Sequence, residues 1–248
     1  MSGEAPAPTR CGFVAILGAP NVGKSTLLNR LVGTKVSIVS PKVQTTRRRV
    51  LGITIRDRAQ LVFVDTPGIF APRKRLDRAM VDAALAGGSD SDVAVVVLDA
   101  QRGLDGRSRL VFERLAEVRR HRLLVVNKID RVKPPQLLPI IEQANAALGF
   151  EATFLVSAAT GDGCEALINA LPARLPEGPW LFPEDQLSDL SDRTLAAEIT
   201  REHLFRQLKE ELPYNLTVET EAWAEAPDGA EVRIDQTIYV RRGSQKAI

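Results

Sequence analysis

Short apolar runs alternate with longer segments of mixed polarity through the first 175 residues of the chain. Five of these runs are rich in β-branched residues and predict strands at 13–17, 61–64, 93–98, 123–126 and 154–156. Because the runs are continuous rather than alternating, each strand should be covered on both faces. The intervening segments predict helices at 24–32, 78–85, 107–120, 135–148 and 164–171. This order predicts an α/β fold built on a doubly wound, mainly parallel sheet, with ligands bound at the carboxyl ends of the strands.

A second pattern begins after a stretch between residues 172 and 183 that is dense in proline and glycine. Apolar residues recur at about four-residue spacing in 193–212, which predicts a helix that ends before Pro213. Two segments rich in β-branched and aromatic residues, 216–223 and 232–240, flank Pro227-Asp228-Gly229 and predict a hairpin. We therefore expect a flexible tail at 1–10, a first domain at 11–175, a linker at 176–190 and a smaller α+β domain at 191–248.

Composition and charge narrow the class of protein. The chain has 248 residues, 44% hydrophobic and 26% charged, which is long enough for two globular domains and unlike a disordered chain. No apolar run approaches the ~20 residues that span a membrane, and the N-terminus has no apolar signal segment. Cys11 and Cys164 are too few for a disulfide framework, which favours the cytoplasm. Residues 1–180 carry 25 Lys and Arg against 17 Asp and Glu, and residues 181–248 carry 8 against 14, so only the first part is basic.

The segment 18–25, Gly-Ala-Pro-Asn-Val-Gly-Lys-Ser, fits the phosphate-binding pattern G-x-x-x-x-G-K-[ST] and directly follows the first predicted strand. Its glycines let consecutive backbone N–H groups point at phosphate oxygens, and the following helix adds its positive N-terminal end. Lys24 would contact the β- and γ-phosphates, and the Ser25 hydroxyl would bind Mg²⁺. The residues of this loop that we expect to bind the nucleotide are Gly18, Asn21, Val22, Gly23, Lys24, Ser25 and Thr26.

The tetrapeptide Asn127-Lys128-Ile129-Asp130 leaves the end of another predicted strand and would read the base. The carboxylate of Asp130 can accept two hydrogen bonds from the N1–H and N2–H₂ edge of guanine, a pattern that adenine cannot match. Ser157-Ala158-Ala159 follows the last strand of the first domain and could complete the pocket with backbone N–H groups directed at the guanine O6. Guanine is therefore favoured over adenine, and an adenine nucleotide kinase is the alternative that Asp130 opposes.

Asp65-Thr66-Pro67-Gly68 ends the predicted strand 61–64. Asp65 can reach Mg²⁺ through its water shell, and Gly68 can offer its N–H to the γ-phosphate, so this segment is a predicted switch. Between this segment and the phosphate loop, the polar stretch 41–49 contains a pair of threonine hydroxyls that could close over Mg²⁺ when the third phosphate is present.

Taken together, these segments resemble the five guanine-nucleotide motifs of the translation-factor-like GTPases, and more narrowly of the Era family. Gly178 to Asp185 and the closing Ser244 to Ile248 also look like Era sequences. The resemblance implies that Thr46 is the switch threonine on Mg²⁺, beside Ser25 and Asp65, and that Asn21 helps to bind K⁺. It also implies Lys24, Thr46 and Gly68 as catalytic residues, GTP and GDP as ligands, and a role in maturing the small ribosomal subunit at the 3′ end of 16S rRNA. The implied location is cytoplasmic, with peripheral contact at the inner membrane left open.

The residue after Gly68 is Ile69, which cannot orient a water as the glutamine of Ras-type enzymes does. We therefore expect slow intrinsic hydrolysis, with extra charge supplied by K⁺, by a partner or by one of Arg47, Arg48 and Arg49. Slow chemistry suits a molecular switch, because the GTP form must persist long enough to be read. The alternative function is an assembly scaffold that holds the nucleotide with negligible turnover.

The predicted helix, strand and strand of residues 191–248 match the opening of the KH module in Era proteins. The RNA-clamping Gly-x-x-Gly loop of that module is absent, so the chain was either shortened or belongs to a lineage without the clamp. Because residues 181–248 are acidic, we expect weak RNA binding by this part, with the basic clusters Arg47–Arg49 and Arg73–Arg75 in the first domain. A partial KH fold should be less stable and prone to associate. Trp223 and Tyr239 are expected in its core.

Overall fold

The computed structural model describes residues 8–40, 42, 46, 49–66, 91–116, 121–210, 212–226, 228, 231–243 and 245. Several predicted features lie outside these residues: most of the tail 1–10, the helix 78–85, Gly68, Ile69, Arg47, Arg48 and the cluster Arg73–Arg75. The fold described below therefore concerns the phosphate loop, both sheets and the segments that join them.

A six-stranded sheet forms the centre of the first part of the chain. Its strands are β1 (Arg10–Gly18), β2 (Val50–Arg56), β3 (Ala59–Asp65), β4 (Val93–Asp99), β5 (His121–Asn127) and β6 (Ala152–Val156). Their order is β2-β3-β1-β4-β5-β6, and every neighbouring pair is parallel except the antiparallel pair β2–β3. The predicted α/β class with a mainly parallel sheet is confirmed. The sequence pattern missed β2, which pairs with β3 across the two-residue turn Asp57-Arg58, where Asp57 has a φ of 51°.

Four helices pack against this sheet in the described part of the chain: α1 (Lys24–Val32), α2 (Gly106–Leu115), α3 (Leu137–Ala147) and α4 (Cys164–Ala170). Side chains from all four join one large apolar core with alternate residues of β3, among them Leu61 and Phe63. Val62 and Val64 belong to a second, smaller core. Because successive side chains of a strand point to opposite faces, the two cores lie on opposite sides of the sheet. The expectation of strands covered on both faces therefore holds at β3.

The proline-rich segment 176–190, which we call the strap, packs along β2 and β3. The Gln60 side chain, fully buried in β3, donates to the carbonyl of Phe182 (2.8 Å) and accepts from that residue's N–H (3.0 Å). The backbone N–H of Ile53 donates to the carbonyl of Leu187 (2.9 Å), so the outer edge of β2 is also paired. A sheet edge covered in this way is protected from pairing with other chains. The predicted linker is thus a packed strap, while the domain bounds themselves stay a prediction.

The last part of the chain contains α5 (Asp192–Gln207) and the antiparallel strands β7 (Leu216–Glu225) and β8 (Val232–Val240). The hydroxyl of Ser191 caps α5 by accepting from the N–H of Thr194 (3.3 Å). The helix ends five residues earlier than predicted, because Leu208 is extended (ψ 149°). Leu216 packs with residues of α5 in a small apolar core that is separate from the two cores of the first part.

The expected burial of two aromatic side chains in this part is wrong. Tyr239 is 48% exposed and Trp223 is only half-buried. The side chains of β7 that face α5 are near its start, whereas β8 has its own apolar residues Val232, Ile234 and Ile238 exposed. Helix α5 therefore covers only part of the hairpin. Among the described residues no helix has the length and apolarity needed to cross a membrane, and both cysteines are buried free thiols.

Candidate nucleotide-binding site

The phosphate loop joins β1 to α1, and its backbone adopts angles that favour glycine. Gly23 has a φ of 101°, and a Cβ at this position would lie 2.3 Å from Nδ2 of Asn127. Asn21 also has a positive φ, 65°. The first turn of α1 contains no acidic residue and receives no side-chain cap. Its N–H groups and positive end are consequently left available for an anion.

Lys24, the first residue of α1, folds back over this loop. Its ammonium donates to the carbonyls of Gly18 (3.2 Å) and Ala19 (3.1 Å), and the residue is only 7% exposed. Burial lowers the pKa of Lys24 from 10.5 to about 8, although the neighbouring Asp65 acts in the opposite direction. A buried ammonium without its full hydration can form a strong charge-assisted bond to a phosphate.

Hydroxyl groups surround the carboxylate of Asp65 at the end of β3. Its Oδ2 accepts from Ser25 (2.7 Å), Ser37 (2.9 Å) and Thr46 (3.2 Å). Its Oδ1 is buried and has no hydrogen-bond partner among the described residues. Burial raises the pKa of Asp65, against the lowering effects of Lys24 and of the three hydroxyls.

This oxygen cluster fits a magnesium ion. Mg²⁺ prefers hard oxygen ligands and is usually held by one or two carboxylates or hydroxyls together with waters and substrate phosphates. Ser25 and Thr46 lie 3.1 Å apart at their hydroxyl oxygens, and both donate to Oδ2 of Asp65. The structure therefore brings together the three residues that the sequence predicts as metal ligands.

The predicted base-reading segment is bonded directly to the phosphate loop. The side chain of Asn127, 2% exposed, donates to the carbonyl of Val22 (2.9 Å) and accepts from the N–H of Ala158 (3.0 Å). Lys128, with a φ of 65°, donates to the carbonyl of Asn21 (2.7 Å). Both ends of the predicted site therefore lie in one continuous structure, as the parallel strand order requires.

Asp130 lies at the other end of this segment. Its Oδ1 accepts from the hydroxyl of Ser157 (2.6 Å), and the carboxylate is partly exposed. The loop 157–159 is also held from α1, where Arg30 donates to the carbonyls of Ala158 (3.2 Å) and Ala159 (2.6 Å). An accepting carboxylate and a loop with fixed backbone are the two parts that a guanine pocket needs.

Sequence reasoning missed four residues that hold this site: Asn29, Arg30, Ser37 and Asp99. Asp99 ends β4 and accepts from Nζ of Lys128 (2.7 Å), so its place at a strand end was a usable signal. No signal of that kind exists for the other three: Arg30 and Ser37 bond residues distant in sequence, and Asn29 bonds a loop whose conformation has no sequence pattern. Gly68 lies outside the described residues, and Thr26 lines a small cleft with the phosphate loop and Thr46.

The chain is similar to known proteins over nearly its whole length. The family described as 50S ribosome-binding GTPase matches residues 13–128. GTPase Era of Sinorhizobium medicae is 58% identical over 97% of this chain and 77% of its own length, and GTPase Era of Mesorhizobium japonicum is 57% identical over 99% of this chain and 78% of its own length.

Two crystal structures are similar over the same extent. One is an Aquifex aeolicus Era variant bound to GDP.AlF4-, and the other is Era in complex with MgGDPNP and nucleotides 1506–1542 of 16S ribosomal RNA. Each is 38% identical with a TM-score of 0.89 and covers 96% of this chain and 81% of its own. The smaller second part of the chain is consistent with the KH domain of Era. On this evidence the chain belongs to the Era family of GTPases.

Proposed function

We propose that this chain binds GTP and GDP together with Mg²⁺ in the site described above and acts as a slow GTP-hydrolysing switch. The observation that carries the proposal is the direct bonding of Asn127 to Val22 and of Lys128 to Asn21, which joins the phosphate end and the base end. In this role Lys24 contacts the β- and γ-phosphates and Asp130 reads the guanine edge. The loop 157–159 completes the base pocket.

Around the reacting phosphate, Ser25, Thr46 and Asp65 would hold Mg²⁺, which neutralises charge on the phosphate oxygens when it is bound. Gly68 would donate its backbone N–H to the γ-phosphate. Thr46 bonds both Ser25 and Asp65, which supports its role beside them at the metal. Because Ile69 replaces a water-orienting glutamine, turnover should be slow until K⁺ beside Asn21 or a partner adds positive charge.

We also infer a role in small-subunit assembly through contact with 16S rRNA. The support is the complex of a similar Era protein with MgGDPNP and nucleotides 1506–1542 of 16S rRNA. Because residues 181–248 carry 14 acidic and 8 basic residues, binding by this part alone should be weak and salt-sensitive. A cytoplasmic location and peripheral contact with the inner membrane stay predictions.

Nucleotide binding and phosphate release test the proposal. We expect GTP to bind at least about 100-fold more tightly than ATP, because Asp130 would face a mismatched adenine edge. Asp130→Asn should lose GTP selectivity and gain affinity for xanthosine triphosphate, since the amide can donate where xanthine accepts. Asp57→Asn is the matched control: it removes the same charge from an exposed turn whose positive φ suits Asn. Tighter binding of ATP than of GTP would contradict the proposal.

The scaffold alternative is separated by turnover. Multiple-turnover phosphate release is measured with and without K⁺ and purified small subunits. We expect a low rate that K⁺ or subunits increase. Release that stays at the uncatalysed level under every condition, with GTP still bound, would favour a scaffold over a switch.

A further inference from the structure

Ser37 contacts the carboxylate of Asp65 although it belongs to none of the five nucleotide motifs. Its hydroxyl is 2.9 Å from Oδ2, and both residues are buried, Ser37 at 4% exposure and Asp65 at 0%. The other two hydroxyls on this oxygen come from Ser25 and Thr46, the predicted metal ligands. Among the described hydroxyls on Asp65, Ser37 is therefore the one whose role the proposed site leaves open.

The backbone of Ser37 is in turn held by Asn29 of α1. The amide oxygen of Asn29 accepts from the N–H groups of Val36 (3.0 Å) and Ser37 (2.9 Å). The amide nitrogen donates to the carbonyl of Ser37 (2.7 Å). Asn29 lies one helical turn after Ser25, so α1 carries both a predicted metal ligand and the residue that fixes Ser37. Three hydrogen bonds from one side chain leave the Ser37 backbone little freedom.

We propose that Asn29 and Ser37 are positioning residues that fix the carboxylate of Asp65 beside Ser25 and Thr46, the predicted magnesium ligands. The inference rests on the proposed function. Ser25 and Thr46 must turn their oxygen lone pairs to the metal when it binds, whereas Ser37 has no such second task. It therefore retains Oδ2 in both states. Hydrogen-bonding partners behind a ligand typically change metal affinity about 10-fold to 100-fold when they are removed.

The test measures how Mg²⁺ slows the dissociation of N-methylanthraniloyl-GDP from the full chain. For Ser37→Ala we expect the Mg²⁺ concentration of half-maximal slowing to rise about 10-fold, with the dissociation rate in EDTA unchanged. Asn29→Ala should shift it in the same direction, and Ser37→Thr, which keeps the hydroxyl, should restore the wild-type value. Ser108→Ala, which removes a buried hydroxyl in α2, is the matched control.

Each outcome decides the question. Wild-type Mg²⁺ dependence in a folded Ser37→Ala protein, or equal acceleration with Mg²⁺ and in EDTA, would overturn the positioning role. If thermal melting shows that Ser37→Ala does not fold, Asn29→Ala decides by the same two criteria. A wild-type chain that binds the labelled GDP with no Mg²⁺ dependence would overturn the proposed metal site itself, and with it this inference, before any variant is compared.

Discussion

The buried ammonium of Lys24 should make the nucleotide-free protein more stable as the pH rises. Because burial lowers the pKa of Lys24 from 10.5 to about 8, the unfolded chain binds this proton more tightly than the folded chain. Below about pH 8 both states are charged and the folded state bears the full cost of burying the charge. Between about pH 8 and pH 10.5 the folded state has lost the proton while the unfolded state keeps it, so the free energy of unfolding rises with pH.

The size of the effect follows from the pKa difference. A pKa lowered from 10.5 to about 8 corresponds to about 3 kcal/mol at neutral pH. About 2 kcal/mol of this should be recovered between about pH 7 and about pH 9.5. Nucleotide affinity should move the other way, because a neutral amine cannot contribute charge to a phosphate. Above about pH 8 the affinity for GDP should fall about tenfold per pH unit.

Urea unfolding of protein stripped of nucleotide with EDTA, and GDP titration across the same pH range, measure both slopes. Lys24→Met retains the length of the side chain and removes the titrating group, so its unfolding free energy should lack the additional rise with pH. Lys133→Met, at an exposed position, is the matched control and should keep the wild-type slope. Parallel pH dependences for wild type and Lys24→Met would refute the reasoning.

Three further predictions concern the frame around the site. Asn127→Ala removes the bonds to Val22 and Ala158 and should cost about 2–3 kcal/mol of unfolding free energy and weaken GDP binding, measured by urea unfolding and titration; unchanged stability would contradict it. Gly23→Ala should abolish nucleotide binding, because the new Cβ would lie 2.3 Å from Asn127, and a GDP titration at wild-type affinity would show the contrary. Glu202→Gln should lower unfolding free energy by about 2 kcal/mol with a weaker salt dependence, since the carboxylate is 1% exposed between two cations; a change below about 0.5 kcal/mol in urea would contradict it.

The parts of the fold that the sequence predicted are those decided by local pattern. Five strands follow from continuous β-branched runs, and α1 has the predicted bounds because Gly23 and Gly33, both with positive φ, delimit it. The positions of the site motifs also follow, because parallel strands bring their carboxyl ends to one edge. The fold class could therefore be predicted from local sequence patterns, without knowledge of which residues contact each other.

The missed features depend on partners that are distant in sequence. β2 has a glycine in its third position and polar residues at its end, and it is completed by β3 and by the strap. Proline density correctly indicates the absence of regular structure in the strap, but it says nothing about packing. Gln60 next to an apolar run is a signal that the sequence analysis did not use: once buried, its amide needs partners, and residues 181 and 182 of the strap supply them. Helix α5 ends early, at Gln207, because the backbone of Leu208 is extended, and the spacing of leucines does not predict this.

Long-range contacts of this kind also involve the loop 33–40, which follows α1. Ser37 of this loop bonds Asp65, while Lys35 pairs with Glu202 of α5 and the carbonyl of Val39 accepts from Arg206 (3.3 Å). Because Glu202 is almost inaccessible, moving α5 away from the loop would leave this buried carboxylate without Lys35 and would break the bond from Arg206 to Val39, although Arg206 and Glu202 stay paired on the helix. The loop therefore cannot shift freely relative to either the metal carboxylate or the second part of the chain, and a displacement at one of them must be accommodated at the other.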